Sequence, residues 1–320
     1  MKKKIFTAIG LMSGTSMDGV DLSLIKSDGF DNIEQIHDRY YEFDEELYKE
    51  LIFLREILSN FDDLAKNSQK IDKIENKFTL FNTKVINEFI QEIGIKPDLI
   101  GFHGQTIFHD STKKTSKQIG NGNLLSKLTK CLVINKFRQN DLDNEGQGAP
   151  LTPIFHYLIS KKISNEFNFN YPMSIINIGG ITNVTSIINN KNIEKDIHAY
   201  DIAPGNCLID EWLRKKSNKK FDDNGEIALS GKIDKLILNQ AIDNFEISTI
   251  EKSLDIKSFD ISFVKGLSIE DGCATLTKFT AHLIAEGLKK IDKLNDIQIK
   301  NFIICGGGRK NKILLKKIKE

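Results

Sequence analysis

The chain has 320 residues, more than one hydrophobic core usually spans, so two domains of about 150 residues each are expected. Its 45 Lys and Arg balance 44 Asp and Glu, a net charge of +1 that gives no electrostatic case for nucleic acid or an anionic membrane; the expected partner is a small molecule. The four cysteines, Cys131, Cys207, Cys273 and Cys305, are far apart and form no CxxC pair, which argues against a zinc site or a disulfide framework and fits a reducing cytoplasm.

The opening "MKKKIFTAIGLM" imitates a secretory signal, but its apolar run, Ile5 to Met12, is short and no small-residue cleavage site follows before Asp18. Nowhere does the sequence reach the roughly 18 uninterrupted apolar residues of a membrane span. "KIFTAIG" and "VDLSLIK" read as strands around the hairpin "GLMSGTSMDGVD", and "NIEQIHDRYYEF" as a third strand. Helical spacing then places Leu47, Leu51, Leu54 and Leu58 on one face, and Ile71, Ile74, Phe78, Phe81, Val85, Phe89 and Ile93 on another. "DLIGFHGQTIF" and "CLVINKF" return to short strands, so the alternation argues α/β. Thr152 and Pro153 predict the cap and first turn of a helix through "IFHYLIS", with the polar "KKISNEFNFNYP" as a separator.

A second unit of the same grammar follows in "SIINIGGITNVTSIIN", then "IHAYDIAPGN", an amphipathic run with Cys273, Leu276, Phe279, Leu283, Ile284 and Leu288 on one side, and the strand "FIICGGG". The motif occurs twice. This predicts a duplicated α/β fold, domains 1–165 and 166–320, each with one phosphate-type hairpin and a cleft between them.

In the first hairpin, glycines let the backbone approach an anion and take positive φ, while Ser13, Gly14, Thr15, Ser16 and Gly19 present amides and hydroxyls. Asp18 and Asp21 would repel phosphate, so one of them is expected to hold magnesium or its waters; a plain solvated hairpin is the competing reading. "CGGGRKN", Cys305 to Asn311, follows an apolar strand as nucleotide-contacting glycine runs do. None of the three segments matches G-x-x-x-x-G-K-[ST] or a strict G-x-G-x-x-G, which disfavours Walker-type and dinucleotide binding, and with them an oxidoreductase. The segment "NDLDNEGQGAPLTP" puts Asp141, Asp143 and Glu145 in a loop expected after a strand. Asp141, nearest the strand, suits a general base, while Asp143 and Glu145 read as a solvated turn. In "GFHGQTIFH", His103, Gln105 and His109 could meet sugar hydroxyls or serve structure; His156 and His198 read as structural.

The motifs "GLMSGTSMDGVD", "HGQT", "GQGAPLTPIFH", "NIGGITN", "DIAPGN" and "GGGRKN", running from Gly10 to Asn311, resemble those of the anhydro-N-acetylmuramic acid kinases, in the acetate and sugar kinase, actin and heat-shock chaperone superfamily. The resemblance implies duplicated actin-like (ribonuclease H-like) domains and ATP with Mg2+ as cofactors. Gly14, Thr15, Ser16, Met17, Asp18, Gly19, Val20 and Asp21 would form the ATP-phosphate loop, with Asp18 or Asp21 at the metal. Gly179, Gly180 and Asn183 would belong to the second phosphate hairpin, spanning Asn177 to Asn183, and Gly306, Gly307 and Gly308 would flank adenosine. Asp141 would be catalytic, and His103, Gln105 and Thr106 part of the sugar-side wall. The implied reaction opens the 1,6-anhydro ring with water and phosphorylates the freed oxygen, giving N-acetylmuramic acid 6-phosphate in peptidoglycan recycling. The partner is an amino sugar in the cytoplasm, and a homodimer is compatible with the resemblance. Members of the family continue past the glycine run with a further strand and helix, while this sequence stops at "ILLKKIKE"; the alternative is therefore a shortened nucleotide or sugar binder with impaired catalysis.

Overall fold

The computed structural model describes residues 4–30, 32–110, 113–245, 254, 256 and 259–320. The chain divides into two compact units, Met1–Ala149 and Pro150–Glu320.

The first unit opens with an antiparallel meander, β1 (Phe6–Ser13), β2 (Gly19–Ser27) and β3 (Ile33–Glu42). Alternation fixes its faces: Ile9 and Leu11 on β1 and Val20, Leu22 and Leu24 on β2 are buried, while Gly10, Met12 and Asp21 between them are exposed. Three helices follow: α1 (Glu45–Ile57), α2 (Phe61–Lys66) and α3 (Ser68–Ile93). Asp44 caps α1 by accepting from Leu47 N at 2.8 Å, and α3 ends at Gly94 in the left-handed conformation, φ 71°. The stripe predicted from spacing is the face that packs: Leu47, Leu51 and Leu54 of α1 and Ile71, Ile74, Phe78, Val85 and Phe89 of α3 join the buried side of the sheet in one core. Removing a fully buried ring such as Phe78 or Phe89 would cost about 3–5 kcal/mol.

β4 (Leu99–Asp110) then enters parallel to β1. Its first stretch, Leu99 to Gly101, pairs with β6 (Leu132–Ile134), in parallel; its second, Gln105 to Asp110, pairs antiparallel with β5 (Thr115–Ile119). The change of partner falls at Phe102 to Gly104, where Gly104 takes φ +76° and a side chain would meet Ile119 O at 2.5 Å. α4 (Gly122–Thr129) links β5 to β6, and the short helix α5 (Phe137–Asp143) follows.

The second unit begins with α6 (Pro153–Phe167), then repeats the plan: an antiparallel meander, β7 (Met173–Ile178), β8 (Ile181–Ile187) and, after α7 (Ile193–Asp196), β9 (Ile197–Pro204). Helices α8 (Cys207–Lys216), α9 (Glu226–Ser230), α10 (Lys235–Asp243) and α11 (Ile269–Leu294) precede β10 (Asn301–Cys305), which lies parallel to β7, and α12 (Lys312–Lys319). The strand orders β3-β2-β1-β4 and β9-β8-β7-β10 are the same. The predicted duplication is therefore present in the topology as well as in the hairpins.

Three sequence expectations are corrected. The division falls at Ala149/Pro150 instead of near residue 165, because α6 belongs to the second unit: Tyr157 packs with Met173, Ile175 and Ile187, and His156 Nδ1 lies 2.8 Å from Thr185 Oγ1. The polar stretch from Lys161 is not a separator, since α6 continues to Phe167 with its charged side chains outward. Thr152 makes no side-chain cap; Pro153, whose missing N–H costs a first turn nothing, starts the helix without it.

Candidate active site

The first hairpin is tied down from four directions. Its turn closes with Met17 N donating to Gly14 O at 3.2 Å, and Met17, at φ 57°, plants its side chain in the core with 2% exposure. Gln105 Nε2 donates to the same Gly14 carbonyl at 3.1 Å, and Arg55 Nη1 donates to Thr15 O at 2.9 Å. Phe43 N donates to Asp18 O at 2.9 Å. Ser13 Oγ stands 2.9 Å from Gly19 O and 2.6 Å from Gln105 Oε1, with one proton to share between them. The carbonyls of Gly14, Thr15, Asp18 and Gly19 are thus all engaged by the protein. That arrangement matters for an anion, because an unengaged carbonyl would turn a lone pair toward it.

Positive φ, expected of the glycines, is taken here by Met17; Gly14 is outside that region, and a Cβ on it would meet only Ser16 Oγ, at 3.9 Å. Its value lies in open space above the turn. Gly19 is tighter, since a Cβ would come within 2.5 Å of the Tyr40 ring and hydroxyl. Val20 is buried as the first apolar anchor of β2.

Asp18 accepts from Ser16 Oγ at 2.5 Å, and Asp21 lies opposite Tyr40 in the β2–β3 register, with Glu42 opposite Gly19. Burial, then the charges of Asp18, Glu42 and Asp21, push the Tyr40 phenol well above its ordinary pKa. Carboxylate oxygens are hard donors of the kind magnesium takes. Among the described residues no three Asp, Glu, His or Cys converge as a metal-holding group, and magnesium commonly needs only one or two carboxylates besides phosphates and waters.

Asp141 is not in a loop directly after a strand, as expected, but in the last turn of α5. The chain then folds back over it. Gly146 N donates to Asp141 O at 2.8 Å, and Gly148 N donates to its Oδ2 at 2.7 Å. Gly146 lies flat against the carboxylate: a Cβ there would be 2.6 Å from Oδ1 and would overlap Cγ and Oδ2. Gly148 makes the return with φ +72°. Asp143 and Glu145 are exposed, bonded to Gln139 at 2.8 Å and Lys114 at 2.6 Å, as a solvated turn should be.

In the HGQT turn, His103 receives Arg138 Nε–H on Nε2 at 2.8 Å and places Nδ1 2.7 Å from Gly104 O. Burial, then the positive charge of Arg138, lowers its pKa from 6.5 to about 4, so the ring is neutral with its proton on Nδ1. Gln105 is 1% exposed and its amide braces the first hairpin. Thr106 is half-buried, with Oγ1 accepting from Gln118 Nε2 at 3.2 Å, and His109 Nδ1 lies 3.1 Å from Ser116 Oγ.

In the second unit, three predicted segments meet. Gly179 O accepts from Asn206 N at 2.7 Å, and Gly180 O accepts from Gly205 N at 2.8 Å and Cys207 N at 3.3 Å. Asn177 and Asn183 face each other across β7 and β8. Gly306, at φ +80°, is pressed so closely on this hairpin that a Cβ would lie 2.5 Å from Asn177 Oδ1 and 2.6 Å from Ile178 O. Gly308 would overlap the Ile178 side chain, whereas a Cβ on Gly307 would meet only Asn206 Nδ2, at 3.8 Å. Asn311 then caps α12 by accepting from Leu314 N at 2.9 Å.

Sequence reasoning missed Arg138, and singled out Gly205 and Asn206 only as part of the motif "DIAPGN", with no role attached. Arg138 stands three residues before Asp141, the spacing that puts both on one helical face, and Gly205-Asn206 sits where a strand turns into α8.

A sheet order repeated in two units, each with a hairpin whose carbonyls are engaged by the protein, and a glycine run packed on the second, defines a duplicated α/β protein. The chain belongs to the anhydro-N-acetylmuramic acid kinase family, whose model matches residues 6–320. It is 48% identical over 320 residues to the anhydro-N-acetylmuramic acid kinase of Pelagibacter ubique (strain HTCC1062), an alignment covering 99% of this chain and 84% of that protein. The enzymes of the same name from Methylobacterium nodulans and Zymomonas mobilis subsp. mobilis are 35% and 34% identical, each alignment covering 97% of this chain and 83% of the relative.

Proposed function

We propose that this kinase opens 1,6-anhydro-N-acetylmuramic acid with water and phosphorylates it from Mg-ATP, with Asp141 as the general base. The Asp141 carboxylate takes a proton from water as the water oxygen bonds to the anomeric carbon. The bond from that carbon to the bridging oxygen breaks, and its electron pair stays on the sixth oxygen of the sugar. That oxygen attacks the γ-phosphorus, ADP leaves, and the proton on Asp141 returns to solvent. The products are N-acetylmuramic acid 6-phosphate and ADP, consistent with a role in cell-wall recycling.

The observation that carries this reading is the Asp141 carboxylate itself. It is held on one oxygen by the Gly148 amide and backed by a glycine that no larger residue can replace without displacing it. Gly14 to Asp21 would bind phosphate in the first unit. Gly179, Gly180, Asn183 and the run Gly306–Gly308 would serve the phosphates and adenosine in the second. Asp18 or Asp21 would hold magnesium, which when bound neutralises phosphate charge. His103 and Thr106 would face the sugar. We place the protein in the cytoplasm: its four cysteines are unpaired, and among the described residues no helix is long and apolar enough to cross a membrane.

Asp141→Asn keeps the shape of the side chain and removes its basicity. Turnover should fall by about two to four orders of magnitude, with the affinity for a non-hydrolysable ATP analogue retained. Near-normal turnover would remove Asp141 from the mechanism.

A further inference from the structure

Arg138 has no role in the scheme above, yet it occupies the junction of two segments that do. On one side its Nε donates to His103 Nε2 at 2.8 Å, in the turn of β4 where that strand changes partner. On the other, its Nη1 donates to Gly148 O at 2.8 Å. The N–H of that same residue, Gly148, donates to Asp141 Oδ2 at 2.7 Å. His103 is itself fixed, with Nδ1 2.7 Å from Gly104 O. The contacts therefore run unbroken from β4, through the guanidinium and one glycine of the returning loop, to the carboxylate.

We propose that Arg138 is a positioning residue for the reaction: it anchors Gly148 to the sheet through His103, and Gly148 in turn aims the Asp141 carboxylate. The inference rests on Asp141 being the general base. The guanidinium suits this task because its planar fork reaches two acceptors on separate segments at once, whereas a lysine ammonium is a single point on a flexible stem. His103 complements it, since a ring kept neutral by burial and by the neighbouring guanidinium presents an unprotonated Nε2 to the Arg138 N–H. The loop needs such an anchor: Glu145 and Gly148 both take positive φ within it, so its path over Asp141 is not one that local preference supplies.

A competing role for an arginine near an anionic sugar is direct binding of the sugar carboxylate, and the two roles separate kinetically. Positioning predicts that Arg138→Ala lowers kcat by about a hundredfold, the usual result of displacing a reacting group by 1 Å, while the KM for the sugar changes by less than about threefold. Guanidinium ion added to the assay should recover part of the loss, and Arg138→Lys should recover less than half of it. The decisive measurement is a double-mutant cycle in the full chain. In an Asp141→Asn background, where no base remains to be aimed, Arg138→Ala should cost no further turnover. If the two losses multiply, or if Arg138→Ala raises KM and leaves kcat intact, the proposal is overturned. Asp141→Asn alone reports separately on the base assignment, because near-normal turnover there would refute that reading before Arg138 is touched. Should Arg138→Ala melt too low to assay, Arg138→Gln, which keeps most of the packing volume, enters the same cycle: no further loss beside Asp141→Asn supports the positioning role, and multiplying losses overturn it.

Discussion

Gly146→Ala should leave the protein folded and slow it about a hundredfold. A Cβ at this position would stand 2.6 Å from Asp141 Oδ1 and closer still to Cγ and Oδ2, whereas ordinary contact begins near 3.4 Å, so the carboxylate must retreat by about 1 Å. A displacement of that size costs roughly two orders of magnitude in rate, or about 2.7 kcal/mol of barrier. The cost to folding is smaller, because what must move is the end of a side chain. The bond from Gly148 N to Oδ2, 2.7 Å long, would be lost, worth about 1.5–3 kcal/mol for a charged acceptor. Against this, Gly146 does not have positive φ, and alanine at such a site recovers about 0.4–1 kcal/mol by restricting the unfolded chain. A melt a few degrees lower is the expected net result. ADP release with the anhydro sugar gives kcat, and calorimetry with a non-hydrolysable ATP analogue shows whether the nucleotide site is intact. A folded Gly146→Ala protein with unchanged kcat would mean that the carboxylate does not react from the place where the loop holds it.

Gly14→Val should melt like the parent, because the site has open space and ordinary φ, and should bind the ATP analogue at least tenfold more weakly if phosphate lies over the turn, a loss of about 1.4 kcal/mol. Unchanged affinity in the folded variant would sink the phosphate-loop assignment. Gly306→Ala is expected to lower the melting temperature, through about 1–3 kcal/mol of strain at φ 80°, ψ 174°, a region essentially reserved for glycine, plus overlap with Ile178 O; Gly10→Ala, which meets nothing within 4 Å, is its silent control. His103 and His156 both have pKa values lowered from 6.5 to about 4, His103 by burial and then by Arg138, His156 by burial. Each stays neutral when folded and takes up a proton near pH 6.5 when unfolded, so their stabilisation is fully present above that pH and is lost as pH falls toward 4. Urea midpoints should drop across this window, and His156→Gln should flatten the drop.

The meander strands were legible because one face of each is buried and period two survives in the sequence, as in Ile9 and Leu11 or Leu22 and Leu24. The same held for α3 and α11 at helical spacing. The unit boundary was not, because whether α6 closes the first unit or opens the second depends on Tyr157 and His156 finding partners on β7 and β8, which no local pattern encodes. Asp141 was legible as a carboxylate among glycines, but its short helix was not, since α5 has a single buried residue, Leu142, and no side-chain cap. The bracing of the hairpins escaped entirely. Gln105 lies 91 positions from the Gly14 carbonyl that it holds, and in the sequence it looked like a wall of the sugar pocket.

The two hairpins share a place in the topology but not a means of support, and this gives them different evolutionary latitude. In the first, the main-chain amides of Met17 and Phe43 are joined by three side chains, Ser13, Arg55 and Gln105, each of which a single codon change can shorten, lengthen or discharge. In the second, the carbonyls of Gly179 and Gly180 are held by main-chain amides of Gly205, Asn206 and Cys207, which survive most substitutions; proline at any of the three removes a donor, and a Cβ on Gly205 would overlap Gly179 O. Graded retuning of the hairpin's hold is therefore open to variation around the first hairpin. Around the second, sequence can drift freely outside a few glycines, and a library aimed there would return mostly neutral or dead variants with little between.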